Sequence, residues 1–213
     1  MTTLSRARLP RGRRTTRPSG DEREQALLAT AEQLLQERAF ADISVDDLAK
    51  GAGLSRPTFY FYFPSKDAVL LTLFERVIVE ADSTMQGRAD HVPDDVAQSW
   101  RDGIHAFLAS FRAHRTVTLA GHAARATNPE VRELWSSFMG KWVAHIAGVI
   151  EAERARGAAP VTIAATDMSA TLNLMNERVM IASLAGETPG MPEEVAVDTL
   201  AHVWVTTIYG RTP

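Results

Sequence analysis

ISVDDLAKGAGLSRPTFYFYFPSK, residues 43–66, reads as two short helices joined by a glycine turn. Ser44 with Asp47 three residues on is a capping-box start, and Val45, Leu48 and Ala49 recur at helical spacing to give one apolar face. Gly51-Ala52-Gly53 stops that helix, Leu54 plugs the corner, and Ser55 caps a second helix with Pro57 inside its first turn, where a missing N–H costs little. The second helix, Arg56 to Phe63, carries Phe59, Tyr60, Phe61, Tyr62 and Phe63. At 100° per residue Phe59 and Phe63 share a face and are the expected core anchors. Arg56, Thr58, Tyr60, Phe61 and Tyr62 spread over the rest. Such a helix-turn-helix reads DNA: arginine grips guanine or phosphate, threonine and phenylalanine touch a thymine methyl, and tyrosine hydroxyls reach phosphates. A surface helix with ordinary packing is the plainer alternative.

The order of these residues resembles the TetR family of transcriptional regulators. Their DNA-binding segments end in an aromatic-rich recognition helix followed by Phe, a break, and Ser-Lys opening a long helix, and here Tyr60, Phe63, Pro64, Ser65 and Lys66 stand in that order. By that resemblance the partner is double-stranded operator DNA. The expected contacts are Ser55, Arg56, Thr58, Tyr60, Phe61, Tyr62 and Lys66.

Composition sets the bounds. A chain of 213 residues with 45% hydrophobic content can bury a large core, as one domain or two small ones. No apolar run is long enough to span a bilayer, and Arg13-Arg14 lacks the apolar stretch an export signal places after it, so no membrane association and a cytoplasmic location are expected. The lack of cysteine excludes disulfides and thiolate metal sites. Net charge is -3 but unevenly spread: residues 1–20 hold six arginines (Arg6, Arg8, Arg11, Arg13, Arg14, Arg17) and no acid, whereas residues 21–70 hold five basic and nine acidic residues. The basic arm either contacts DNA or is a disordered solubilising tail.

In chain order the pattern is helical throughout. Ser19 and Glu22 make a capping box for a helix from about Asp21 to Arg38, with Leu27, Ala31, Leu34 and Leu35 inward. Ser65 and Lys66 open a helix to about Met85 with Val69, Leu70, Leu73, Val77 and Ile78 as its apolar stripe, and Gln86 to Asp95 reads as a loop. Further helices are expected over Asp94 to Ala113, Thr116 to Ala126, Pro129 to Arg156, Thr166 to Ala185 and Glu193 to Tyr209. The fold class is therefore all-α, with about nine helices in three parts: a basic arm at 1–20, a helix-turn-helix module at 21–66, and a larger helical domain at 67–213.

All four tryptophans lie in the larger region. Trp100, Gly103, Phe107 and Phe111 fall along one side of a helix, Trp135, Met139 and Trp142 along another, and Asn173, Asn176 and Glu177 interrupt an apolar sequence. Aromatic walls with a few polar groups describe a small-molecule pocket, and equally a plain core with asparagines bonded to a neighbouring helix. In the TetR family this region binds ligand and dimerises. The resemblance extends over nearly the full chain to one branch, whose members repress a Baeyer-Villiger flavin monooxygenase. It is carried by Arg17–Arg23, Ala41–Lys66, Glu153–Pro160, Leu172–Arg178 and His202–Gly210. It implies an apolar tunnel for a small hydrophobic effector lined by Trp100, Gly103, Phe107, Phe111, Trp135, Met139, Trp142, Asn173, Asn176 and Trp204. The chain departs from that branch at His145 and Ile146, where a tyrosine and a smaller polar residue are usual. The last two helices are the family's dimer surface, and Leu184, Leu200, Val203, Val205 and Ile208 supply apolar area there, unless they cover the subunit's own core.

Enzyme constellations are wanting. The histidines lack an i, i+4 pair, and there is neither a Gly-rich phosphate loop nor a GxSxG elbow, so no metal, cofactor or catalytic activity is expected. Glu177 as a general acid or base ranks below its role as a polar anchor. A repressor without any effector is the remaining alternative.

Overall fold

The computed structural model describes residues 19–89 and 95–210, and every regular element among them is a helix. Capping chemistry fixes where the first ones begin. Ser19 and Glu22 form a reciprocal box at α1 (Gly20–Glu37), and Ser44 and Asp47 do the same at α2 (Val45–Gly51), pairing amide groups that a first turn leaves without partners. Ser19 and Gly20 thus belong to the helix start, while the six arginines of the arm lie outside the described residues. A 3-10 turn, Phe40–Asp42, connects α1 to α2. Helix α3 (Arg56–Tyr62) takes Ser55 as cap and Pro57 in its first turn. Between α2 and α3 the chain passes through Gly53 at φ +67°, a conformation any L side chain would find strained.

The core of this head is Leu27, Leu28, Ala31, Leu35, Ile43, Leu48, Ala49, Phe59 and Phe63, all buried. Leu34, expected to point inward, is only half-buried; Leu28, six residues earlier, is fully buried instead.

Helix α4 (Lys66–Ala89) spans 24 residues, about 36 Å at 1.5 Å per residue. It runs one turn beyond Met85, through Gln86 to Ala89, although Gly87 was expected to open a loop; a lone helical glycine costs only about 1 kcal/mol and does not end a helix by itself. Positions 90–94 of that expected loop lie outside the described residues. One end of α4 packs on α1 and the rest on α5 (Val96–Ala113), α6 (Arg115–Ala124) and α7 (Pro129–Ala155). At α6 the approach is close: a Cβ on Gly121 would stand 2.5 Å from Cδ2 of Phe74.

Helices α8 (Ala165–Ala185) and α9 (Glu193–Tyr209) complete the fold, α8 against α7 and α9 against α5. Their apolar residues are distributed otherwise than expected. Leu184, Leu200, Val205 and Ile208 are buried in the subunit's own core, and Val203 is half-buried. The outward faces instead carry Thr171, Leu174 and Arg178 on α8 and Val195, Thr199 and His202 on α9, with Leu174 59% and Val195 51% exposed. Both helices are apolar around most of their circumference, so periodicity could not tell the inner face from the outer.

Candidate functional site

Helix α3 is held from one side only. Phe59 is fully buried and Phe63 nearly so, their rings 6.2 Å apart, which leaves the opposite face in the open with Phe61 82% and Tyr60 46% exposed. Phe61 meets the edge of the Tyr62 ring at 5.2 Å and otherwise projects into solvent, adding nothing to the buried core. Ser55 Oγ lies 2.8 Å from Thr58 Oγ1 and accepts from the Thr58 amide, so both hydroxyls sit at the helix start. Arg56 donates to Asp46 at 3.0 Å and to the Tyr60 hydroxyl at 3.3 Å. Tyr62 is half-buried, and its hydroxyl lies 4.0 Å from where a Cβ on Gly20 would stand, against the start of α1.

Lys66, expected at the DNA, turns inward. Its ammonium donates to the carbonyls of Phe40 (3.0 Å), Ala41 (3.1 Å) and Ile43 (2.8 Å) and lies 4.8 Å from the Phe40 ring centre. It therefore ties the first residue of α4 to the turn ahead of α2. That turn leads directly into Ser44, whose hydroxyl and amide hydrogen bonds hold the Asp47 carboxyl down to about 2.

In the helical domain the aromatic residues form two clusters along α5. Phe107 and Phe111 (5.2 Å) join Trp135 and Phe138, with Phe111 5.4 Å from Trp135, and Phe74 of α4 stacks on Trp135 at 5.9 Å. Trp100 and Trp204 (5.0 Å) make the second cluster, and the Trp100 indole donates to the Tyr209 hydroxyl at 3.3 Å. Burial pushes that tyrosine up to about 12. Gly103 lies on α5 between the clusters, and a Cβ there would meet no heavy atom within 4 Å.

Polar groups near these rings are partly engaged. Asn176 Oδ1 accepts from Trp204 Nε1 at 3.0 Å, and Asn173 Nδ2 donates back to the Ser169 carbonyl at 2.9 Å. Trp135 Nε1 is buried with no hydrogen-bond partner. Met139 is buried on α7. Trp142 faces elsewhere: its indole donates at 3.0 Å to Asp82 of α4, which also accepts from Lys141, and His145 beside it is exposed. Glu177 is no free acid or base. It pairs with Arg125 at 2.7 Å, whose guanidinium carbon lies 5.1 Å from the Trp135 ring centre, and the adjacent His122 is lowered chiefly by burial.

Residues 27–73 match the model of the bacterial regulatory proteins, tetR family, and residues 100–210 match that of the C-terminal domain of the transcriptional regulator EthR. The chain belongs to the TetR family. It is 62% identical to the HTH-type transcriptional regulator EthR of Mycobacterium tuberculosis over 97% of this chain and 96% of that one. It is 55% identical to the EthR of Mycolicibacterium smegmatis over 100% of this chain and 98% of that one. Among solved structures, a TetR-like transcriptional regulator from Rhodococcus sp. RHA1 superposes with a TM-score of 0.67 at 20% identity, covering 92% of this chain and 100% of that one. Salmonella enterica GusR gives 0.64 at 17%, covering 91% and 98%, which shows the fold alone. This TetR-family chain is thus a helix-turn-helix transcriptional regulator similar to EthR and not an enzyme. Among the described residues no group of three or more His, Asp or Glu could hold a metal, and no helix is long and apolar enough to cross a membrane.

Several participants escaped the sequence reading. Phe74 stands on the α4 stripe four residues after Leu70 and could have been read from it. Asp82 has a weaker mark, an acid four residues beyond Ile78 on that stripe, where an acid needs a partner. The partnership of Arg125 with Glu177 and Trp135 joins three helices and leaves no local trace.

Proposed function

We propose that the chain is a ligand-responsive repressor. Two copies, joined through the outward faces of α8 and α9, set their α3 helices in successive major grooves of a pseudo-palindromic operator, with recognition heads about 34–36 Å apart. The observation that carries the DNA-reading part is the exposed Tyr60 and Phe61 on a helix anchored by Phe59 and Phe63. Ser55, Arg56, Thr58 and Tyr62 flank them, and Lys66 supports them from within. The head at 21–66 is preceded by the arginine arm, whose two readings, a DNA contact or a solubilising tail, are separated by truncating it and measuring the salt dependence of affinity. Similarity to EthR supports a flavin monooxygenase of the Baeyer-Villiger type as the controlled gene, and action in the cytoplasm follows from action on DNA.

A small apolar effector bound among α5, α7, α8 and α9, in the domain at 67–213, releases the DNA by favouring a second conformation. Trp100, Gly103, Phe107, Phe111, Trp135, Met139, Asn173, Asn176 and Trp204 line the path, while Trp142, expected there, turns to Asp82 of α4 instead. Open space at Gly103 between two aromatic clusters supports this reading, as does the buried Trp135 N–H that awaits an acceptor.

Two measurements test the halves separately. Changing Thr58 and Tyr60 together to Ala is expected to lower operator affinity about a hundredfold, through a base contact of about 1–3 kcal/mol lost at Thr58 and the loss of the Tyr60 hydroxyl that holds Arg56, with a much smaller fall on unrelated duplex. A parallel fall on both duplexes would remove α3 as the sequence reader. Decan-2-one, an apolar chain with one acceptor, is expected to quench tryptophan fluorescence and raise the melting temperature. At one hundred times its Kd the gain is about 2.7 kcal/mol. No response to it or to longer ketones would favour the effector-free repressor with a solid core.

A further inference from the structure

The head has little positive charge to spare. Residues 19–66 contain eight acids and five basic residues, Arg23, Arg38, Lys50, Arg56 and Lys66. Arg38 is paired with Asp47 at 3.2 Å, and Lys66 is committed to three carbonyls. Binding here depends on few side chains in set positions, which makes the surroundings of Arg56 informative.

Arg56 is exposed, yet three contacts hold it. One terminal nitrogen, Nη1, donates to Asp46 Oδ2 at 3.0 Å; the other, Nη2, donates to the Tyr60 hydroxyl at 3.3 Å; and its guanidinium carbon lies 5.8 Å from the Tyr60 ring centre. Those contacts come from α2 and α3 together, so the side chain records the angle between the two helices. Each terminal nitrogen carries two N–H groups and has one bond to the protein, which leaves one on each for a base edge. A guanidinium already held loses less freedom on binding than one that roams.

Asp46 stands in the first turn of α2, where its charge favours the helix start, but it makes none of the cap's hydrogen bonds. The α2 cap is made by Ser44 and Asp47, and the Asp46 carboxylate is 64% exposed. A free carboxylate beside DNA repels phosphate and weakens binding to every sequence alike. We propose that Asp46 determines sequence specificity: its carboxylate, with the Tyr60 hydroxyl, presents Arg56 for a bidentate contact with a guanine edge while penalising contact with phosphate alone. This rests on the reading above that Arg56 faces DNA.

The test uses the full chain, a duplex the protein itself enriches from a random pool, and a scrambled duplex of equal composition, all at one salt concentration. Asp46→Asn keeps shape and removes charge. It is expected to raise affinity for the scrambled duplex while the ratio of enriched to scrambled affinity falls about tenfold, within the range of one bidentate contact. In an Arg56→Ala background the same change is expected to leave the ratio where it is, and Asp46→Glu to restore part of it in the parent. Equal gains on both duplexes with Asp46→Asn would make Asp46 a bystander, and a ratio that falls as far without Arg56 would mean it acts through another group; either result overturns the proposal. If Arg56→Ala alone leaves the ratio unchanged, the reading of Arg56 as a DNA contact has failed and this inference with it.

Discussion

Phe111→Ala is expected to lower the stability of the chain by about 3–5 kcal/mol, the cost of truncating a buried phenylalanine. For a protein of this size that corresponds to roughly 10 °C in melting temperature. The side chain is fully buried, with the rings of Phe107, Trp135 and Phe138 at 5.2, 5.4 and 5.8 Å. Trp135 is itself stacked on Phe74 of α4, and Phe74 packs closely on Gly121 of α6, so the rings beside the gap are held by three helices. The space left by the ring would therefore stay open, so the penalty includes the cavity as well as the lost burial. Phe61→Ala, at a position 82% exposed, is the control and is expected within about 0.5 kcal/mol of the parent. Thermal denaturation followed by tryptophan fluorescence measures both. The cavity also gives the variant a distinct response: an apolar probe that fills it should recover part of the loss, as small hydrocarbons do in dry engineered cavities. A shift of under about 2 °C for Phe111→Ala would mean that the cluster is loosely filled rather than close-packed.

The head was legible because its determinants are local. Ser19 with Glu22, Ser44 with Asp47, and Ser55 before Pro57 act over three residues, and each cap forms where the pattern placed it. The aromatic stripes of α5 and α7 were also readable as stripes. What one helix's periodicity cannot show is which neighbour it meets. Trp135 and Trp142 share a face of α7, yet Trp135 joins Phe111 of α5 while Trp142 bonds Asp82 of α4. The same limit misplaced the apolar residues of the terminal pair: α8 and α9 have enough apolar positions for two faces, and Leu200 and Val205 went to the inner one. Lys66 shows the converse. Its place in the motif was evident, but three carbonyls converge on its ammonium only because the chain folds back from the turn at Phe40–Asp42.

That convergence leads to the second large effect. Lys66→Met is expected to lower operator affinity about tenfold or more while the response of the helical domain to an apolar probe stays intact. Methionine keeps the length and apolar stem of the side chain and loses all three donors. A hydrogen bond to a charged group contributes about 1.5–3 kcal/mol, and hydration of the partly exposed carbonyls offsets some of this, so a net cost of about 2–4 kcal/mol is expected for the lock between α4 and the head. The lock is the only direct tie that the first residue of α4 has to the segment leading into α2 among the described contacts. Through Phe74 and Asp82 the same helix meets Trp135 and Trp142, so under the proposed effector mechanism α4 is the element that carries movement to the recognition helix. Salt titration separates this role from a phosphate contact. If Lys66 met DNA, its loss would reduce the slope of log affinity against log salt by about 0.9 per subunit; a lock leaves the slope unchanged while the affinity falls at every salt concentration. A reduced slope with unchanged stability would return Lys66 to the DNA interface and leave Ser65, which caps α4 through the Ala68 amide at 3.1 Å, as the start of the coupling helix.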